Sequence, residues 1–510
     1  MAYKEDCNML KHKLNEPLYE CLPRMLSELF VKNKLPFLSA IIFGFAAHGF
    51  MLTNKIPYGD DFVAMFDKGA TTVSGRYGLE LMRLILPDVS MPWIYGVMAV
   101  FILAISACMI VNLFKVQSSL MKILLAGLFV SFPAQAVTMN YMFTVVPYAV
   151  ALAASIAGVL CIEQAQGWKR IGGSLLIAFS CTIYQGYFSV AASFCVLLML
   201  QALFNGEKSA EESFFYGLRL LAMLIAALLM YGLVVLVFTQ LLGYPLIGEV
   251  INESQSILLR IAVAYSAYIK TFFAGYFGYV HSPGAVVAHM ILLAAVAVVG
   301  IKRLWGKPVK TWLLAGVCLF LFPLSCYCLY MLADNSYIHS LALYSFFSVY
   351  VLCVVLLDDC ASKKMKSLSA LCFAVILFGN VLYANAWYLR NQIKFEETKS
   401  NYISLMTQVI STPGFDENSK IALMGSSLGP YYDVDKEFGL LLPQTPSHEV
   451  ESVAYSQLIV SRYLGLDIPF AEQEELQALQ TEPEVEIMNI YPYDGSIKKV
   501  GNYIVVKLAE

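Results

Sequence analysis

Eleven stretches of this 510-residue chain are apolar and long enough to cross a bilayer, and that series constrains the fold more than any other feature. A helical span needs about 20 mainly apolar residues, because hydrocarbon offers backbone N–H and C=O groups no partner outside the helix itself. The windows run 35–52, 92–114, 121–138, 141–162, 171–185, 187–204, 216–242, 285–301, 311–332, 338–357 and 368–388. Residues 171–204 form one apolar run, roughly 50 Å long as a single helix against a hydrocarbon core of about 30 Å, so a break at Tyr184-Gln185-Gly186 and a tight helical hairpin are expected. Residues 257–280 are apolar too, but Arg260 and Lys270 would each cost about 2.5–3.5 kcal/mol at a helix centre, so this segment is expected to lie on the membrane surface. Composition agrees: 59% of residues are apolar and 14% charged, against about 25% charged in soluble proteins.

Charge is informative by position. The sum, 34 Lys and Arg against 37 Asp and Glu with no run of one sign, marks no nucleic-acid surface. The N-terminus and the segments 115–122, 163–170, 205–219, 302–310 and 358–367 hold 19 basic residues, and the alternate loops before residue 389 hold six. Cytoplasmic loops attract Lys and Arg, so the expected topology has eleven spans, the N-terminus inside and the C-terminus outside. Counting 257–280 as a span would leave 12 against 11 and no bias. The polar and basic segment 1–34 has no small-residue cleavage site after the first window, which reads as a retained anchor. The twelve cysteines form no CxxC pair and lie mostly in apolar stretches, so neither a disulfide framework nor a zinc site is expected.

Composition shifts after residue 388. The last 122 residues carry 18 acidic and 9 basic side chains, with strand-like runs at Lys420–Met424 and Tyr503–Leu508. The expected organisation is a cytoplasmic segment 1–34, a membrane domain 35–388 with outer loops 53–91 and 243–284, and a small outer α/β domain 389–510. Residues 389–411 read as a helix leaving the membrane, with Ser411-Thr412-Pro413-Gly414 as its stop and Tyr493-Asp494-Gly495-Ser496 as a turn. No Walker loop or GxGxxG occurs in this domain.

Loop 53–91 crowds Asp60, Asp61, Asp67, Arg76, Glu80, Arg83 and Asp88 between two spans. As a helix, 76–86 would put Arg76, Glu80 and Arg83 on one face and Leu79, Met82, Ile85 and Leu86 on the other. The simpler reading is an Asp pair capping a helix after Pro57-Tyr58-Gly59 and a solvated charged stripe. The functional reading rests on the combination: two carboxylates and an arginine at the level of lipid headgroups. Moving a sugar from a lipid phosphate to a hydroxyl needs a carboxylate to take the acceptor proton and a cation to meet the departing phosphate. Arginine suits the second task because its planar fork binds phosphate oxygens in pairs.

Tyr58-Gly59-Asp60-Asp61, Gly75-Arg76-Tyr77, Tyr184-Gln185 and the ending Tyr491-Pro492-Tyr493-Asp494-Gly495-Ser496-Ile497-Lys498, in that order along nearly the whole chain, resemble the bacterial glucosyl transferase II family. The resemblance implies an all-α polytopic membrane fold of the C-type glycosyltransferases (GT-C-like). It also implies a polyprenyl-phosphate sugar donor, usually glucose, and a cell-envelope glycan acceptor on the outer face. Carried over by residue, Asp60 or Asp61 is the general base, with Asp61 slightly favoured. The other carboxylate organises the acceptor or a divalent cation, Mg2+ or Mn2+, and Arg76 holds the donor phosphate. Tyr58 and Glu80 join Arg76 among the expected substrate-binding residues. The family pattern has a basic residue soon after the Asp pair, where this chain has Phe62-Val63-Ala64-Met65-Phe66. Arg260 and Lys270 are the expected replacements, against their reading as snorkelling anchors. Tyr184 and Gln185 at the hairpin tip are expected near sugar hydroxyls, against an anchoring role. His48 and His289 read as satisfied bundle histidines rather than metal ligands.

A polytopic transporter or lipid-linked sugar flippase is the alternative that apolar bulk alone allows. Coupled transporters carry charges within their spans, and the interiors of these eleven windows contain none. A lipid-A or O-antigen ligase or polymerase would share the enzyme class and differ in substrate.

Overall fold

Hydrocarbon forces a chain to close its backbone hydrogen bonds within helices, and apolar helices make up most of this protein. The computed structural model describes residues 18–57, 61, 74–87, 89–244, 256–273, 283–328, 331, 340–360, 362–426, 428 and 455–508, with side chains at all of these except 18–30, 270–273, 283 and 340. The helices of the first half are α1 (Leu18–Thr53), α2 (Tyr77–Arg83), α3 (Pro92–Leu113), α4 (Ser119–Val130), α5 (Pro133–Asn140), α6 (Val145–Gln164) and α7 (Ile171–Ile183). They are followed by α8 (Phe188–Asn205), α9 (Ala210–Leu236), α10 (Ile257–Phe273), α11 (Pro283–Leu304), α12 (Val309–Cys326), α13 (Ser348–Leu357) and α14 (Lys363–Ile410).

Nine helices among the described residues are long and apolar enough to cross a membrane, α4 and α5 counting as one. The two remaining windows are shorter in residues. The window 171–185 is the 13-residue α7, which ends where Tyr184 turns extended (φ −151°, ψ 109°), so the break expected at Tyr184-Gln185-Gly186 is present. The window 338–357 joins a 3-10 segment, Ser340–Phe347, to α13. At about 2.0 Å rise per 3-10 residue and 1.5 Å per α residue it extends roughly 31 Å, close to a hydrocarbon thickness. Segment 257–273 is helical and packs on α12, burying Ala264 and Ala267 and donating the Tyr265 hydroxyl to the Phe320 carbonyl at 2.6 Å.

Local chemistry explains the joints. Pro133 has no N–H for the Phe129 carbonyl one turn back, so the span 119–140 is interrupted between α4 and α5. The freed acceptors find other donors: Tyr344 Oη donates to Phe129 O at 2.6 Å, and His48 Nε2 to Val130 O at 2.8 Å. α6 and α7 pack closely through facing glycines, since a Cβ on Gly158 would meet Gly173 O at 2.7 Å and one on Gly173 would meet Gly158 O at 2.5 Å. On α9 only 17% of the most apolar window is buried, and Leu221, Ile225, Leu229, Leu233 and Leu236 are all exposed. Water would not tolerate so continuous an apolar face, and lipid requires one. The protein is a multi-span membrane protein.

α14 continues well past the apolar bundle. Its 48 residues extend roughly 72 Å, more than twice a hydrocarbon core. The last turns bury Tyr402, Leu405, Met406 and Val409 against a small sheet. The chain turns at 411–414 and enters β1 (Lys420–Met424), followed by the helix α15 (Gln473–Gln480) and the hairpin of β2 (Ile497–Val500) and β3 (Tyr503–Lys507). The strand order is β1-β3-β2, with β1 parallel and β2 antiparallel to β3. Strand alternation sends Ile421 and Leu423 to the face covered by α14, and Ala422 and Met424 to the face holding Leu479, Val485 and Met488.

Candidate functional site

Asp61 is completely buried among groups from three separated segments. Lys55, just past α1, places its ammonium on Oδ2. Ser90, two residues before α3, donates its hydroxyl to Oδ1, and the backbone N–H of Phe143, in the turn between α5 and α6, donates to the same oxygen at 3.2 Å. Removing a carboxylate from water costs several kcal/mol unless such partners replace the water. Tyr463, beyond the sheet's first strand, lies close enough for the charge of Asp61 to act on it: burial first, and that carboxylate second, push its hydroxyl pKa above the usual range. Its ring also meets Phe395 of α14 at 5.1 Å. Tyr463 thus ties the C-terminal region to α14.

A second cluster stands beside the first. Arg76 precedes α2, its Nη1 donating to the Tyr148 hydroxyl at 3.2 Å and its guanidinium lying 5.2 Å from the centre of the Tyr184 ring. Tyr184 stacks on Tyr148 at 4.7 Å, so the cation rests on a packed aromatic floor. Gln185 Nε2 donates to Ser74 O at 2.7 Å and to the Tyr231 hydroxyl at 2.8 Å. The hairpin tip thus fastens the turn that presents Arg76. α2 can approach this tip because residue 78 is glycine: a Cβ there would stand 2.4 Å from Thr182 Oγ1. The expected 76–86 helix is shorter, Tyr77–Arg83, and Glu80 pairs with Arg83 instead of Arg76. Arg76 precedes the first helical residue, its carbonyl accepting from Leu79 N at 3.0 Å, and its side chain turns toward α6.

The two clusters share the start of α6. Phe143 holds Asp61 and Tyr148, five residues on, holds Arg76, while Arg83 and Leu79 border a small cleft against Phe143 and Thr144. Arg260 is elsewhere, its Nη1 donating to Met331 O at 3.1 Å. Tyr58, Asp60 and the side chain of Lys270 lie outside the described residues.

Several residues of these clusters carry no motif in sequence. Lys55 supplies a cation before the Asp pair rather than after it, six positions upstream of Asp61. Ser90, Tyr148 and Tyr231 are ordinary letters next to or within apolar windows. α14 adds Arg390 and Lys394, one turn apart and buried, just before Phe395. Arg390 donates to Asn391 Oδ1 at 2.8 Å and lies over Trp387. Their spacing immediately after the last apolar window was the available signal.

His48 and His289 are each held at both ring nitrogens. Tyr388 Oη and Val130 O hold His48, and Ala285 O and Tyr350 Oη hold His289. Among the described residues no three His, Cys, Asp or Glu side chains gather as a metal site. A groove of about 480 Å³ runs between α8, α9 and α12, with Phe188, Met199, Leu221, Leu228, Leu314 and Met331 in its walls. Its lining is almost wholly apolar, and Met331 at one end is the residue whose carbonyl Arg260 engages.

An apolar bundle that gathers a carboxylate, a guanidinium and several tyrosines at one end describes a membrane-embedded enzyme class. The chain matches the family model described as Glucosyl transferase GtrII over residues 49–357, more than half its length, and it belongs to that family of membrane glycosyltransferases. The matched segment includes Asp61, Arg76, Gln185 and Arg260 and leaves out the C-terminal sheet with its Tyr491–Lys498 ending. Neither the curated proteins nor the solved structures gave a significant match.

Proposed function

We propose that the protein transfers glucose from a polyprenyl-phosphate donor to a hydroxyl of a cell-envelope glycan, at the outer face of the cell membrane, with its N-terminus in the cytoplasm and its C-terminal sheet outside. The observation that carries this reading is that Asp61 and Arg76 dock on one short stretch, Phe143–Tyr148, inside the segment that matches the family. As the acceptor oxygen bonds to the anomeric carbon, the bond from that carbon to the phosphate oxygen breaks. The hydroxyl proton must go to a base, and the phosphate must be met by a cation. A single displacement of this kind inverts the anomeric configuration.

Lys55, Ser90 and Phe143 occupy three of the roughly four acceptor directions of the Asp61 carboxylate. We therefore assign the proton to Asp60, and to Asp61 the positioning of Lys55 and of the turn before α6. Arg76, braced by Tyr184, is assigned the donor phosphate. The same engagement makes Asp61 a poor ligand for Mg2+ or Mn2+, because the Lys55 ammonium would oppose the ion, and no step is routed through a metal. A lipid-linked donor is supported by the apolar groove, whose end at Phe188 directly follows Tyr187, the ring of which meets Tyr184 edge-on at 5.0 Å. The outward placement rests on the bias of Lys and Arg between alternate loops.

The test is transfer in liposomes from labelled polyprenyl-phosphate glucose to an envelope glycan. Asp60→Asn is expected to lower kcat by about 10²- to 10⁴-fold, with membrane insertion intact. Full transfer by Asp60→Asn would remove the base from that residue. Sugar movement across the bilayer without a glycoside product would favour a flippase.

A further inference from the structure

At the end of the bundle opposite Asp61, three lysines from separate segments surround one cavity. Lys32 lies where the first span begins, Lys115 in the turn after α3, and Lys122 in the first turn of α4. The cavity holds about 290 Å³, and Asn33, Asn112 and Gln117 supply polar groups to its wall. Asn33 is buried, and its Oδ1 accepts from Asn112 Nδ2 at 2.9 Å, while Gln117 Nε2 donates to Lys115 O at 2.8 Å. The nearby carboxylate, Asp358, accepts from the backbone N–H groups of Gln117 at 2.7 Å and Ser118 at 3.2 Å. Among the described residues none of the three ammonium groups has an acidic partner.

The backbone adds a separate indication. Lys115 has φ 54° and is the non-glycine residue with positive φ among those described. The bonds from Lys115 N to Asn112 O and from Val116 N to Val111 O form the helix-ending turn in which glycine is the usual occupant. The chain keeps a lysine in a conformation that disfavours any side chain, and that side chain lines the cavity. Like charges with no acidic partner among the described residues repel one another, and an anion would relieve the repulsion. Val31, Leu35 and Leu120, close in sequence to the lining residues Lys32, Pro36 and Lys122, are exposed.

We propose that this cavity binds a phosphate-bearing anion with a small substituent, either a phospholipid headgroup or a soluble phosphate ester. Three ammonium groups and side-chain amides are the donors that such an anion requires, and the volume lies at the small end for ligand pockets. The site is remote from Asp61 and Arg76 and does not depend on the sugar-transfer reading.

The test uses the full-length protein in phosphatidylcholine nanodiscs and reads the thermal unfolding midpoint. One arm adds inorganic phosphate or glycerol 3-phosphate, and a second replaces part of the lipid with phosphatidylglycerol. A rise in the first arm identifies a soluble source, and a rise in the second alone identifies the headgroup. Each lysine removed is expected to weaken the response about fivefold. Lys115→Gly separates binding from folding, because it relieves the backbone: its midpoint without anion should match or exceed that of the parent, while its anion response falls. The triple variant Lys32→Gln, Lys115→Gln, Lys122→Gln should respond to neither arm. The proposal is overturned if the parent responds to neither probe, if Lys115→Gly responds as the parent does, or if Lys302→Gln with Lys364→Gln loses the response equally, which would indicate bulk charge.

Discussion

At the scale of single residues, the buried Asp61 carboxylate depends on neighbours remote in sequence. Lys55→Met would leave that charge buried without its cation, and a loss of up to about 3 kcal/mol is expected, less than for a fully buried pair because Lys55 is a quarter exposed. Ser90→Ala should cost about 1–2 kcal/mol. Thermal unfolding in detergent checks both, and Lys55→Arg should recover part of the loss if charge is what matters. The pairing of Glu475 with Lys420, together with the Glu472 N–H and the Tyr503 hydroxyl, lowers its pKa from 4.5 to about 2. A carboxyl lowered on folding stabilises above its unfolded pKa and loses that contribution as pH falls from 4.5 toward 2. Protection of the β1 and β3 amides, taken relative to the intrinsic exchange rate at each pH, should fall across that window in the parent and show no such step in Glu475→Gln.

Among elements, the contact of α2 with the α7 hairpin tip rests on a missing side chain. Gly78→Val would drive a branched side chain into Thr182 and displace the helix whose start positions Arg76. The expected outcome is a lower kcat/KM for the lipid donor with unfolding temperature little changed, measured by initial rates at varied donor concentration. This level also shows what sequence could and could not convey. Spanning helices announce themselves because their solvent is hydrocarbon and every letter must comply. β1 and β3 were visible as short apolar runs in a polar tail. The break at Tyr184 followed from length alone. The grip on Asp61 was not visible, since one of its donors is the backbone N–H of Phe143, which any residue but proline would supply. Arg76, Glu80 and Arg83 were expected on one face; the helix runs only over Tyr77–Arg83, and of the two arginines it is Arg83 that pairs with Glu80. Tyr463 is some 400 positions from Asp61, and no local pattern connects them.

Across the whole molecule, α14 is the common member of two cores: Phe373, Ile376 and Trp387 belong to the membrane bundle, and Tyr402, Leu405 and Val409 to the sheet. Thr398 sits between them, buried, with its hydroxyl bonded to the Lys394 carbonyl. Thr398→Pro should break the helix there at a cost of about 3 kcal/mol or more. Limited proteolysis is expected to release a fragment containing the sheet while the bundle stays intact. Equal protease resistance in the variant would show that the two cores hold together without a continuous helix.

A rod shared in this way behaves as a lever. A 10° swing of a helix segment extending roughly 30 Å beyond the bilayer moves its tip by about 5 Å, nearly one sugar ring. A force on the sheet would therefore reach the bundle through the helix itself, without any signal passing through the loops.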